Sequence, residues 1–149
     1  MPKKIWLLTC LAVLLAPLAA EAAAGSWADR ARAATLVVVA RCESASADWE
    51  GAAIYTRSDV TVLDVVRGTP DHRTTVRQPG GVVDGVGQRV SHVTLLEPGA
   101  TYLLFLAKDE AGGWSPTRLG VNAVTGSPGA ETVGGESLAA VIATLGGGN

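Results

Sequence analysis

Residues 102–106 are apolar at every position and follow a turn at Pro98 and Gly99. Side chains on a strand alternate between two faces, so a strand with no polar position must be covered on both of them. We therefore predict that this segment is the core strand of a closed or sandwiched sheet.

Two longer segments that precede it show the signals of strands. A β-branched run begins at Thr35 and passes into alternating apolar and charged positions up to Glu43, which predicts a first strand. Residues 54–66 predict a second strand, which places Tyr55 and Arg57 on the face opposite to Ile54 and the later valines. The alternation lapses at the end of that segment, which predicts a bulge or bend. The polar residues 44–51 are predicted to form a loop between the two strands.

The remaining segments predict shorter elements. In chain order they are a third strand at 74–78, a glycine-rich excursion at 79–87, a strand or edge segment at 88–93, and a returning strand at 114–119 that residues 121–124 prolong. Ser26 with Asp29 three positions later forms a capping-box pattern and predicts a short helix over 26–34. The spacing of Leu138, Val141, Ile142 and Leu145 predicts an amphipathic helix within 136–145. The predicted fold class is therefore mainly β, with a helix near each end.

The N-terminus shows the pattern of an export signal. Lys3 and Lys4 precede an apolar run over 5–20, and small-x-small sites follow it. A membrane anchor is the alternative, but the run is shorter than the roughly 18–20 residues that span a bilayer, and Pro17 interrupts it. The predicted organisation is a signal peptide at 1–24, a barrel domain at 25–125, and a glycine-rich linker with a C-terminal helix at 126–149. The predicted location is periplasmic or secreted, with membrane contact only through the signal peptide before its cleavage.

The net charge and the cysteine content limit which partners and which disulfide bonds are possible. Removal of Lys3, Lys4 and Glu21 with the signal would change the formal net charge from −2 to −3. This mild acidity argues against nucleic acid as a partner, because nonspecific nucleic-acid binding requires clustered Lys and Arg. Cys42 would be the one cysteine left, which excludes an intrachain disulfide and predicts a buried thiol, with interchain pairing as the alternative.

Three blocks of sequence carry a family resemblance. Residues 34–41, 62–68 and 99–104 are similar to an opening valine-rich strand, a strand ending in a basic residue and glycine, and a Gly-x-x-Tyr-Leu strand. Together they resemble the netrin-like fold typified by the tissue inhibitors of metalloproteinases, and more closely the small exported bacterial proteins of that fold. The resemblance implies a five-stranded OB-type closed barrel over about residues 34–119. Animal inhibitors reach a catalytic zinc with an N-terminal cysteine, which the predicted mature N-terminal region lacks.

The sequence argues against several catalytic chemistries. His72 and His92 lack the short spacing of a zinc site, and Ser91 with His92 would point to opposite faces of a strand, which is unsuitable for a nucleophile and its base. Asp84 in the glycine-rich loop supplies too few oxygen ligands for calcium. We therefore predict a protein that is not an enzyme, with no catalytic residues, no bound metal and no cofactor.

The candidate binding residues are Trp49, Tyr55, Arg57, Arg77 and Asp84. Aromatic anchors, guanidinium groups and an adaptable loop have the composition of a recognition patch. In the alternative reading, Trp49 caps the barrel and Tyr55 is an ordinary cross-strand contact. The predicted function is an exported binding module, which the resemblance would make inhibitor-like, with another exported or envelope protein as partner. A hydrolase of unrecognised type and a structural or assembly protein of the envelope remain alternatives.

Overall fold

A computed structural model describes residues 25–146, and the predicted signal peptide and residues 147–149 lie outside this range. The elements are α1 (Trp27–Arg32), β1 (Leu36–Glu50), β2 (Ala53–Arg67), β3 (Arg73–Pro79), β4 (Gly81–Val83), β5 (Val86–Gln88), β6 (Thr101–Lys108), β7 (Trp114–Thr125), β8 (Thr132–Val133), β9 (Glu136–Ser137) and α2 (Leu138–Gly146). The prediction of a mainly β fold with a short helix near each end is confirmed.

Seven strands form the main sheet, in the order β3-β2-β1-β6-β7-β8-β9, and β4 pairs separately with β5. A parallel bridge between Val76 of β3 and Trp114 of β7 joins two strands of this sheet a second time, so that five of its strands form a ring. The predicted count of five strands is too low, because β4, β5, β8 and β9 are additional. Strands of two or three residues are too short to show a period-2 pattern in the sequence.

The strand β6 is the core strand, as predicted, and different layers cover its two faces. Tyr102, Leu104 and Leu106 join a cluster with the buried side chains of β1, β2 and β3 inside the ring. Leu103 and Phe105 point the other way, into a second cluster that α1, β8 and α2 complete. The unbroken apolar run follows from this double burial.

Both helices pack against the outer side of the sheet. Ser26 caps α1 through a complete capping box with Asp29, as predicted. Ala31 is buried, and the Trp27 ring lies 6.2 Å from that of Phe105. The buried face of α2 consists of Leu138, Val141 and Leu145, the spacing that the sequence indicated.

The hairpin of β1 and β2 extends beyond the part of β1 that pairs with β6. The strand β6 pairs with β1 only from Leu36 to Arg41, whereas β2 accompanies β1 as far as Glu50. The prediction that residues 44–51 form a loop is wrong, because β1 continues to a tight turn in which Gly51 has a φ of +65°. These residues are polar because they lie beyond the main core, and polarity alone does not distinguish such a strand from a loop.

The end of β2 is irregular. Register shifts in the pairing of β1 with β2 occur near Val37 and Val38, opposite Val65, which confirms the predicted bulge.

The strand predicted at 88–93 is wrong beyond Gln88, the last residue of β5. The buried amide of Gln78 supports the irregular chain that follows, donating to the Thr94 carbonyl at 2.7 Å and accepting from the Leu96 N–H at 3.0 Å.

Candidate functional site

The part of the β1–β2 hairpin beyond the β1–β6 pairing, residues 44–59, carries three of the five predicted binding residues, and we call it the ribbon. Trp49 pairs with Ile54, whereas Arg57 pairs with Arg77 of β3. Directly paired residues share a face of a sheet and successive residues alternate. Tyr55, Arg57 and Arg77 therefore lie on one face, the outer face, and Trp49 lies with the buried Ile54 on the opposite, inner face.

The outer face holds a network of charges centred on Glu50. Its carboxylate accepts a hydrogen bond from Arg57 Nη2 at 2.7 Å and from Arg77 Nε at 3.0 Å, with a further short contact to Arg77 Nη2. The guanidinium carbon of Arg77 lies 3.6 Å from the centre of the Tyr55 ring, and its Nη1 is 3.9 Å from Asp109 Oδ2. We call these five residues the charge cluster. Because its cations already have acidic partners, it links β1, β2, β3 and the β6–β7 turn more than it offers free charge to a ligand.

Three members of the charge cluster, Glu50, Arg77 and Asp109, have shifted pKa values. Hydrogen bonding from Arg77 is the main reason that the pKa of Glu50 lies below its ordinary value of 4.5. The same bond raises the pKa of Arg77. For Asp109 the leading cause of a lowered pKa is the hydrogen bond from the Gly113 N–H, 2.8 Å long.

We expect the stability that Glu50 contributes to be present above its ordinary pKa of 4.5 and to be lost as the pH falls through the lower value of the folded state. The unfolded chain takes up the proton first on acidification, so the free energy of unfolding decreases in that range. Arg77→Ala should move the Glu50 titration midpoint up toward 4.5, and Arg57→Ala should move it less, because Arg77 is the larger cause.

An NMR titration of the Glu50 carboxyl group in the two variants measures this difference, and urea unfolding across the acidic range follows the stability. Equal midpoints in Arg77→Ala and in the unsubstituted protein would contradict the assignment of Arg77 as the main partner.

The β4–β5 hairpin packs on the inner face of the ribbon. Gly81 has a φ of +137°, and a Cβ there would lie 2.6 Å from Thr56 Oγ1 and 2.9 Å from Ala47 Cβ, so only glycine allows this approach. The side chain of Gln88 fixes the hairpin to the ribbon tip, with Oε1 accepting from the Ile54 N–H at 2.6 Å. Asp84 lies exposed in the β4–β5 turn, apart from the charge cluster.

Large apolar side chains are exposed at this end of the molecule. Trp49 is 45% exposed on the ribbon, and Val82 and Val86 of the hairpin are 66% and 49% exposed. Val82 pairs with Gly87 whereas Val86 pairs with Val83, so the two valines point to opposite faces of the hairpin. We call Trp49 and these two valines the tip patch. An open groove of about 880 Å³ runs beside the hairpin, lined by residues 79–82 and 87–95 together with Glu97. Because Trp49 is half exposed, it does not serve as a buried cap of the ring.

The Cys42 thiol lies in a protected environment. Burial raises the pKa of the Cys42 thiol, which disfavours the reactive thiolate, and Cys42 is fully buried, as predicted. Residues 25–146 contain no group of three or more His, Cys, Asp or Glu that could hold a metal ion. No helix within the same range is both long and apolar enough to cross a membrane.

Comparison of the chain with protein-family models, with curated proteins and with solved structures found no match. The resemblance to the netrin-like fold therefore stays a prediction. The candidate site is therefore defined only by the contacts and exposure of residues within this chain.

The sequence reasoning missed several residues of both surfaces. The sequence predicts Glu50 in a loop, whereas it is the last residue of β1, directly before the turn at Gly51. Its position becomes apparent only when residues 44–50 are known to form a strand. The sequence predicts Asp109 in a polar turn, and no local signal connects it to Arg77. Val82 and Val86 lie in a glycine-rich stretch, where the exposure of their side chains cannot be inferred without the fold.

Proposed function

We propose that the protein is an exported, non-enzymatic binding module that recognises another exported or envelope protein through the tip patch. The observation that carries the proposal is the exposure of Trp49 next to the turn of the ribbon, on the face against which the hairpin with Val82 and Val86 packs. Tryptophan is among the residues that contribute most at protein interfaces. Large exposed apolar side chains at one end of a small domain are typical of an interaction surface.

A protein is a better partner for this surface than a small molecule. Small-molecule sites are concave and enclose most of the ligand. The tip patch instead lies on two hairpins, and the groove beside it is open. An exposed patch of this kind can pack into a depression on a partner protein. The charge cluster on the outer face supports the ribbon that presents Trp49.

The finer fold assignment belongs to the same proposal. We propose that the ring β1-β2-β3-β7-β6 is a five-stranded OB-type closed barrel of the netrin-like kind. The two contacts that support it are the pairing of β1 with both β2 and β6, and the parallel bridge between Val76 and Trp114. OB-type barrels commonly use loops at one end to bind extended ligands.

We expect Trp49→Ala to weaken capture of the partner at least about tenfold, as the loss of an interface anchor does. The free energy of unfolding should change by no more than about 0.5 kcal/mol, the usual range for a surface substitution. The measurement is capture from the exported fraction on immobilised protein, followed by titration of the captured partner and by a thermal melt of each variant.

The matched control is Leu63→Ala, which removes a side chain that is 53% exposed on β2 outside the tip patch. It should leave capture unchanged. Equal capture by Trp49→Ala, or a large loss of stability in that variant, would remove the tip patch as the binding surface.

A further inference from the structure

One edge of the ribbon has no partner strand within the described part of the chain. The strand β6 pairs with β1 only up to Arg41, and the loop before β6 reaches Cys42, whose carbonyl accepts from the Gly99 N–H at 2.8 Å. From Ser44 to Glu50, the pairings of β1 are with β2 alone. The opposite edge of this stretch therefore faces away from the sheet.

The hydrogen bonds of Ile54 show which backbone groups point out of this edge. The N–H of Ile54 donates to Gln88 Oε1 and its carbonyl accepts from the Gly80 N–H, so both groups point away from β1. Ile54 and Trp49 are thus a pair that does not exchange hydrogen bonds, and the alternation of antiparallel ladders extends this to every second residue of β1. The N–H and C=O groups of Ala45, Ala47 and Trp49 consequently point toward solvent.

This edge lacks several of the features that prevent strand addition. Natural edge strands are protected by charged side chains, above all lysine, by proline, by bulges or by covering loops. The stretch from Ser44 to Glu50 carries Asp48 and Glu50 but contains no lysine or proline, and its pairing with β2 shows no register shift. Two of the three residues whose backbone N–H and C=O groups point outward are Ala45 and Ala47. Their side chains are small and do not block the approach of another strand.

We propose that two copies of this chain pair through this edge, antiparallel and centred on Ala47. Ala47 then lies opposite Ala47 of the second copy, and each Trp49 lies opposite an Ala45. All three residues on each copy use their outward N–H and C=O groups, which gives about six hydrogen bonds between the copies. The small side chain of Ala45 leaves room for the Trp49 ring.

The charges of the chain select this register. On the outer face it places Asp48 opposite Ser46 and Glu50 opposite Ser44, so that no two acids are directly opposed. A shift of two residues toward the turn would place Asp48 opposite Glu50, and like charges in direct cross-strand positions are destabilising. A shift the other way would extend the pairing into the register shift between Cys42 and Ser44.

The two-fold axis of such a pairing is perpendicular to the sheet, because paired residues must share a face. The Trp49 side chains of both copies would therefore lie on the same side of a continuous sheet. A dimer would present two Trp49 side chains to a partner on one surface.

Sedimentation velocity of the exported protein over a series of concentrations tests the pairing. We expect a concentration-dependent dimer, and we expect Ala47→Pro to weaken it at least about tenfold. Proline removes an N–H that is used only between copies and leaves the bonds of β1 to β2 in place. A thermal melt shows that the variant is folded. A protein that stays monomeric throughout, or a dimer that persists in folded Ala47→Pro, would overturn the proposal.

Disulfide cross-linking tests the register without relying on proline. In a Cys10→Ser background the buried Cys42 is the other native thiol, and Ser46→Cys and Asp48→Cys are prepared separately. Residues 46 and 48 of different copies are directly opposed, about 4.5 Å apart between Cα atoms, which is within disulfide reach. A mixture of the two variants should cross-link under mild oxidation, and each alone should not. Cross-linking of either variant by itself, or none in the mixture, would overturn this register.

Discussion

Replacement of Leu104 by alanine is expected to lower the free energy of unfolding by about 2–5 kcal/mol, the usual cost of such a truncation in a core. Leu104 is fully buried inside the ring, in the cluster that β1, β2, β3 and β6 share. Neighbouring strands constrain it on both sides through the pairs with Val38 and Val121, so the cavity cannot easily collapse. Urea unfolding monitored by tryptophan fluorescence measures the loss.

Thr101→Ala is the control for Leu104 on the same strand. Thr101 is partly exposed at the start of β6, and its truncation removes little buried apolar surface. The expected cost is well under that of Leu104→Ala. If the two variants unfold at the same urea concentration, Leu104 does not hold the centre of the core and the ring loses its main support.

Gly120→Ala is expected to destabilise the protein by about 1–3 kcal/mol or more, the range for an atom forced into a packed interior. A Cβ at this position would lie 2.5 Å from the Phe105 carbonyl oxygen and 2.7 Å from that of Thr117. Both neighbours are backbone atoms and cannot rotate away. The cause is an irregularity in the pairing of β6 with β7 between Leu104 and Leu106, which brings the chain around residue 120 close to β6.

Gly87→Ala is the matched control, since it makes the same substitution at a glycine of β5. A Cβ there would meet only Val82 Cγ2 at 3.7 Å, an ordinary contact. Thermal melts of both variants compare the effects directly. Similar melting temperatures would show that β7 can move away from β6 without cost and that the close approach is not a fixed part of the fold.

The two predicted losses locate stability in the ring, whereas the two proposed binding surfaces consist of exposed residues of the ribbon and of the β4–β5 hairpin. Trp49 is half exposed, and the open edge of β1 has no partner strand among the described residues. Substitution of Trp49 or of an edge residue can therefore change recognition or pairing with little effect on unfolding. A folded variant that no longer binds its partner has therefore lost a binding contact and not its fold.

Much of the fold could be predicted from local sequence because strand and helix periods are properties of the backbone. The apolar run of β6, the alternation of β2 and the capping box of Ser26 with Asp29 each report burial or hydrogen bonding within a few residues. These predictions are confirmed. The prediction of a loop at residues 44–51 is wrong, because a strand that lies outside the core can be as polar as a loop.

The sequence by itself determined which segments are strands of the core, which helices cover them, and that Tyr55 and Arg57 share a face. Only the tertiary structure decided that Trp49 lies on the opposite face, because this depends on the length of the turn at Gly51 and on pairing with β2. It also decided that Arg77 is held by Glu50, 27 residues away in the chain. Local alternation is set by the geometry of one strand, whereas cross-strand register and charge partners arise only when distant segments meet.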